Sequence, residues 1–249
     1  MALGFKIRRS LTLIATAMLA VGSGDAATRA PTAPLLPSAS MPLPTAVPGA
    51  NPIEGFVPGR LTLLSIDELP NGLRQLAEKD LEDDRRGFRA VSTRELRDAR
   101  AELLRAARPA KAAVDTDDAS PWLDLRHSAL GECADLGTIE RLRVGDAPVM
   151  RTRVFRRADG AVIAFEEFRY PASPGSGVVS VRELLNSRVG PYPARLLIER
   201  SKRGLARSQL GWTTPRAKYA LVVFDDVDAP REPRWDRAWL RALAASLGS

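Results

Sequence analysis

The chain has 249 residues but only one cysteine, Cys133, and only one histidine, His127. A single cysteine excludes an internal disulfide, so burial of apolar side chains must stabilise the fold. One histidine excludes zinc sites built from two or three histidines, and one cysteine excludes cysteine-rich zinc clusters. The sequence therefore predicts neither a metal site nor a cofactor.

Several catalytic signatures are also missing from the sequence. It contains no glycine-rich phosphate loop ending in Gly-Lys, no Gly-x-Ser-x-Gly nucleophile elbow and no Ser-x-x-Lys pair. A serine or cysteine nucleophile would need His127 as its base, and in a helix Cys133 would lie about 9 Å from His127 along the axis. These absences favour a protein without enzymatic activity, and His127 stays a candidate catalytic residue.

No apolar run in the sequence approaches the roughly 20 residues that a membrane-spanning helix needs. Lys6, Arg8 and Arg9 precede an apolar stretch at 11–21, and small residues follow it. This order is typical of an export signal. We expect cleavage after Ala26 or Gly24, by the general secretory or the twin-arginine route, a periplasmic or secreted location, and no stable membrane span.

Eight prolines stand between residues 28 and 58, among Ala, Ser and Thr. Each proline lacks a backbone donor and restricts the residue before it, so this stretch cannot form a helix or pair in a sheet. The sequence therefore predicts a signal peptide at 1–26, a disordered Pro/Ala-rich tether at 27–58 and a single domain at 59–249.

The sequence predicts helices near both ends of the domain. Asn71 to Asp83 and the segment that follows Ser92-Thr93-Arg94-Glu95 carry apolar residues at helical spacing, and the second begins with a capping box. Ser120-Pro121 predicts a short helix over 121–134. At the C-terminus an amphipathic helix is expected, with its apolar side chains directed at the sheet: Trp235, Trp239, Leu240, Leu243 and Leu247.

Strand-like segments fill the middle of the domain. Residues 149–156 and 161–170 flank Asp159-Gly160, which predicts a hairpin. Residues 180–190 predict a short helix, and three further strands follow as a meander, of which the last, from Lys218 to Asp225, is expected at the centre of the sheet. We therefore expect an α+β fold in which one layer of helices packs on a curved antiparallel sheet of about five to six strands.

Positive charge is the main surface signal, because the chain carries 37 Lys and Arg against 30 Asp and Glu. We expect the basic hairpin to bind an anionic partner, with Trp212 adding a stacking surface, and we use that name for Arg195, Arg200, Lys202, Arg203, Arg207, Arg216 and Lys218. Lipid phosphates, an acidic polysaccharide and an acidic protein face are the candidate ligands, and the exported location disfavours nucleic acid.

The leading hypothesis is an exported, non-enzymatic envelope or secreted protein that binds a partner through its sheet face or the basic hairpin. Two alternatives remain open. One is a carboxylate-dependent or metal-dependent hydrolase that uses Asp225, Asp226 or Asp228, since acidic residues at a strand end can hold a cation or act as a base. The other is a periplasmic carrier of an apolar ligand.

Overall fold

The computed structural model describes residues 61–108, 122–144, 147–170, 178–215 and 217–247. The signal segment 1–26 and the tether 27–58 lie outside these ranges, so both stay predictions.

Within these ranges three α-helices form where the helical patterns predict them: α1 at Asn71–Arg86, α2 at Thr93–Ala106 and α3 at Arg237–Ser246. The capping box of α2 is confirmed, because Ser92 Oγ accepts a hydrogen bond from the Glu95 amide at 3.0 Å and the Ser92 amide donates to Glu95 Oε2 at 2.8 Å. These two bonds satisfy amides that the first helical turn leaves unpaired.

The described residues form ten strands. In chain order they are β1 Leu61–Leu64, β2 Arg89–Ala90, β3 Ala134–Val144, β4 Ala147–Arg156, β5 Val162–Arg169, β6 Val178–Val181, β7 Ser187–Val189, β8 Tyr192–Arg200, β9 Ala206–Thr213 and β10 Ala217–Val223. The Asp159-Gly160 hairpin between β4 and β5 is confirmed, with Gly160 at a φ of 88° that glycine tolerates.

The main sheet has the strand order β2-β8-β9-β10-β5-β4-β3, and β7 pairs with the same edge of the sheet through β8. Its pairings are antiparallel except β2 with β8, while β1 and β6 form a separate parallel pair. The meander β8-β9-β10 and the central position of β10 are both confirmed.

Helices cover both faces of the main sheet. Successive side chains of a strand point to opposite faces. On β10, Val223 belongs to the buried cluster that contains Leu240 of α3, whereas Val222 belongs to the cluster that contains Leu103 of α2. We call the face under α3 the first face and the face under α2 the second face. A third apolar cluster, which includes Ala77 of α1 and Leu184, holds the β1–β6 pair.

The α+β class is confirmed, but the finer expectation is wrong in strand number, in curvature and in placing the helices in a single layer. The expected helix over 121–134 is also wrong, because the described part is a loop, a 3₁₀ turn at Ala129–Glu132 and the start of β3. Leu125 and Leu130 of this segment are buried against the first face. Tertiary packing and pairing of β3 with β4 therefore override the local helix signal.

The short helix expected over 180–190 is likewise reduced to a 3₁₀ turn at Arg182–Leu184 between β6 and β7. Its last residue, Leu184, is buried in the cluster with α1. The strands on either side leave too few residues for a regular helix.

Candidate functional site

Arg200 and Arg207 of the basic hairpin are engaged in ion pairs within the domain. Arg200 donates to Asp226 at 2.5 and 3.0 Å, and Arg207 donates to Glu199 at 2.5 Å. Lys202 and Arg203 are exposed in the turn between β8 and β9. Two of the four basic residues at this turn therefore have their charge balanced by a carboxylate.

Trp212 belongs to the core and not to an exposed stacking surface. It is 2% exposed and packs beside Phe165 and Tyr219, with ring centroids at 6.5 and 5.4 Å. The alternation along β9 explains its position, since Leu210 and Trp212 share the first face, which α3 covers.

The acidic residues after β10 are the partners of arginines. Asp225 accepts from Arg157 at 2.7 Å, and Asp228 accepts from Arg200 at 3.4 Å and also from Arg237. Burial, the largest single effect, would raise the pKa of Asp226, but the hydrogen bond and charge of Arg200 together with the backbone amides of Asp228 and Ala229 outweigh it and hold that pKa below its ordinary value. Asp226 and Asp228 therefore neutralise Arg200, one of the arginines that suggest anion binding, whereas Asp225 pairs with Arg157.

These carboxylates do not converge with the other candidate catalytic groups. His127 is exposed in the loop before β3. Glu166 and Glu167 pair in register with Ala220 and Tyr219, away from the end of β10 where the aspartates lie. In the described ranges no group of three His, Cys, Asp or Glu side chains is arranged to hold a metal ion.

Lys218 lies on the second face, where β10 pairs with β9 and β5. It is half-buried, opposite Thr213 on one side and Phe168 on the other. Burial lowers the pKa of the Lys218 ammonium to about 8, and the nearby charge of Glu166 opposes this shift. Lys218 is therefore separated from the exposed turn that carries Lys202 and Arg203.

An open groove of about 560 Å³ at the β7 edge of the sheet contains two arginines that the sequence analysis did not single out. Its lining combines a short strand, the turn before it and one residue of α3: Leu185, Asn186, Ser187, Arg188, Pro193 and Arg241. We call this feature the β7 groove. None of these six residues carries a carboxylate.

Neutral oxygens hold both arginines of the β7 groove. Arg188 donates to the Pro191 carbonyl at 2.8 Å, and Arg241 donates from Nε to Ser187 Oγ at 3.2 Å. Both side chains are exposed, and neither forms an ion pair with a described residue. Their positive charge is therefore positioned but not neutralised locally, unlike that of Arg200 and Arg207.

The two arginines project on opposite sides of β7. Val189 is buried in the core beneath α3, so its neighbour Arg188 points to the other side of the strand. Arg241 comes from α3 itself and reaches Ser187, which shares the side of Val189. The two cations therefore straddle the edge of the sheet, an arrangement that spacing in the sequence does not indicate because 53 positions separate them.

No helix in the described part of the chain is long and apolar enough to cross a membrane. Comparison of the chain with protein-family models, with curated proteins and with solved structures finds no match in any of the three.

Proposed function

We propose that this protein is an exported, non-enzymatic partner-binding protein that takes an anionic group of its partner in the β7 groove. The observation that carries the proposal is the contrast between two sets of arginines. Arg200 and Arg207 are paired with carboxylates, whereas Arg188 and Arg241 are held by neutral oxygens beside an open groove. An incoming anion at Arg188 or Arg241 has no internal carboxylate to displace.

Binding an anion costs less free energy at Arg241 than at Arg200. An anion that binds Arg200 must compete with Asp226, so the protein loses an existing charge-assisted pair. An anion that binds Arg241 gains charge-assisted bonds while Nε keeps its bond to Ser187. The surrounding excess of Lys and Arg over Asp and Glu adds a long-range attraction for the same kind of partner.

The location is part of the proposal and rests on the basic, apolar and small-residue order of the first 26 residues. An exported protein meets anionic groups on envelope proteins, polysaccharides and lipids. Mass spectrometry of the native protein tests this part, because export predicts an N-terminus at residue 25 or 27. An intact N-terminus inside the cell would contradict it.

Binding of a fluorescent hexaglutamate peptide to the full chain tests the site. We expect the R188Q/R241Q variant to bind about tenfold more weakly, since two exposed ionic contacts contribute roughly 0.5–1 kcal/mol each. Wild-type affinity should also fall as salt is raised.

The matched control is the K202Q/R203Q variant, which removes the same charge from the exposed turn between β8 and β9. We expect it to change affinity less than twofold. Equal losses in the two variants would show that net charge alone drives binding. A loss confined to K202Q/R203Q would return the site to the basic hairpin.

A further inference from the structure

β7 is a short strand at the edge of the main sheet. Its pairing with β8 leaves the backbone amide and carbonyl of one residue directed outward. Its three residues pair with Tyr192, Pro193 and Ala194, and Arg188 stands opposite Pro193. Proline has no amide hydrogen, so Arg188 and Pro193 must form a non-hydrogen-bonded pair of the ladder. The backbone amide and carbonyl of Arg188 therefore point away from β8, towards an edge of β7 that pairs with no strand in the described ranges.

The residues that flank β7 limit this edge on both sides. The Asn186 amide already donates to the Leu184 carbonyl at 3.1 Å, and the Asn186 side chain bonds the Leu196 backbone at 2.8 and 3.0 Å. At the other end the chain enters the turn at Gly190, whose φ is 55°. The open part of the edge is therefore centred on Arg188.

We propose that the partner docks as an extended acidic peptide segment that adds a short strand to β7, with two adjacent carboxylates reaching Arg188 and Arg241. This inference rests on the proposed function, because it takes the β7 groove as the binding site. One residue of the added strand exchanges two backbone hydrogen bonds with Arg188.

The alternation of side chains fixes the sequence pattern of the partner. The residue that pairs with Arg188 places its side chain on the same side of the sheet as the Arg188 side chain. The next residue, beside Ser187, points to the opposite side, where α3 carries Arg241. Two consecutive acidic residues therefore meet both arginines, whereas acidic residues two positions apart lie on one side and meet only one of them.

Two peptides of identical composition test this geometry, TVEEVT with adjacent glutamates and TEVEVT with spaced glutamates. We expect the full chain to bind TVEEVT at least fivefold more tightly. Hydrogen exchange should show protection of the Arg188 amide only in the TVEEVT complex. Methylation of the backbone nitrogen of the glutamate that pairs with Arg188 should weaken binding at least fivefold. Methylation of the other glutamate should have little effect, because successive amides of a strand point in opposite directions.

The results of these experiments distinguish strand addition at β7 from simple anion binding in the β7 groove. If the two peptides bind equally, neither methylation matters and R188Q/R241Q still weakens binding, strand addition is wrong and the anion site stands. If R188Q/R241Q, which alters only exposed side chains, binds both peptides like the wild type, both proposals are wrong. If phosphatidylglycerol vesicles bind at least tenfold more tightly than TVEEVT and depend on both arginines, a lipid surface replaces the peptide.

Discussion

Arg200 and Asp226 form a two-bond ion pair at the end of the main sheet, with N to O distances of 2.5 and 3.0 Å. The sequence suggests a different role for each residue: Arg200 as a ligand for an anion, and Asp226 as a base or metal ligand. The fold brings the end of β8 and the segment after β10 together. Arg200 and Asp226 therefore stabilise the fold by neutralising one another.

The R200Q variant tests the structural importance of this pair. We expect its free energy of unfolding to fall by about 1–2 kcal/mol, because Asp226 loses its main partner while its side chain is only 15% exposed. The measurement is chemical denaturation at neutral pH. The control is R203Q, in the exposed turn, which should stay within about 0.5 kcal/mol of the wild type.

The same pair predicts a dependence on pH. The pKa of Asp226 is lowered in the folded protein, so the unfolded state takes up a proton first and the stabilisation is lost as pH falls below the ordinary value of 3.8. The difference between wild type and R200Q should therefore shrink in acid. A difference that persists unchanged at pH 2 would contradict the assignment.

Lys218 should destabilise the folded protein at neutral pH, since the pKa of its ammonium falls from 10.5 to about 8 on burial. Between these two values the unfolded state binds more protons, so stability should rise as pH rises from 8 to 10.5. We expect K218M to be about 1–2 kcal/mol more stable than the wild type at pH 7 and to lack this rise.

Chemical denaturation across this pH range measures the effect of Lys218. The exposed K202M variant is the control, and it should retain the rise between pH 8 and 10.5. A K218M variant that is less stable than the wild type at pH 7 would show that the Lys218 ammonium has a stabilising partner.

Gly137 is required by a close approach between β3 and the end of α2. Its φ is 123°, and a Cβ atom at this position would lie 2.2 Å from the Arg108 carbonyl oxygen. We expect G137A to lower the free energy of unfolding by roughly 3 kcal/mol, because backbone on both sides must shift. Thermal unfolding measures the loss.

Gly72 provides the matched control for G137A. It lies in the first turn of α1, and nothing approaches its added Cβ within 4 Å. G72A should therefore raise stability by about 0.5–1 kcal/mol through helix propensity. Destabilisation of similar size in both variants would argue against a specific need for glycine at position 137.

Substitutions of Trp212 test whether its side chain stabilises the core or takes part in binding. We expect W212A to cost about 3–5 kcal/mol of unfolding free energy, as is usual when a buried aromatic side chain is removed. W212F should cost only about 1–2 kcal/mol, since the indole nitrogen has no hydrogen-bond partner among the described residues. W212F should bind TVEEVT like the wild type, and a tenfold loss of affinity would place Trp212 in the binding site.

Local patterns predicted those elements whose formation depends mainly on nearby residues. The Ser92 capping box, the Asp159-Gly160 turn and the spacing of Leu240 and Leu243 on α3 each express a short-range rule, and the structure confirms all three elements. The helix expected over 121–134 rests on the Ser120-Pro121 cap, and it does not form because Leu125 and Leu130 are buried against the first face of the sheet from a loop and a 3₁₀ turn.

The candidate sites were harder to predict than the elements. Runs of like charge in the sequence suggested two sites, but the sequence does not state which carboxylate faces which guanidinium. No motif marks Arg188 or Arg241, since Arg188 is an isolated exposed arginine in β7 and Arg241 lies on the polar side of α3 together with Arg237. Their importance in the proposal comes from a shared groove and from the absence of carboxylates among its lining residues.

The sequence by itself determined the helices with strong caps, the tight hairpin and the α+β class, because hydrogen bonds and side-chain periodicity within a few residues encode them. Tertiary structure alone decided the strand order, the helices on both faces and the pairing of Arg200 with Asp226. Those features depend on contacts between residues far apart in the chain, where Coulomb energy and burial are set by distance in space rather than by spacing in sequence.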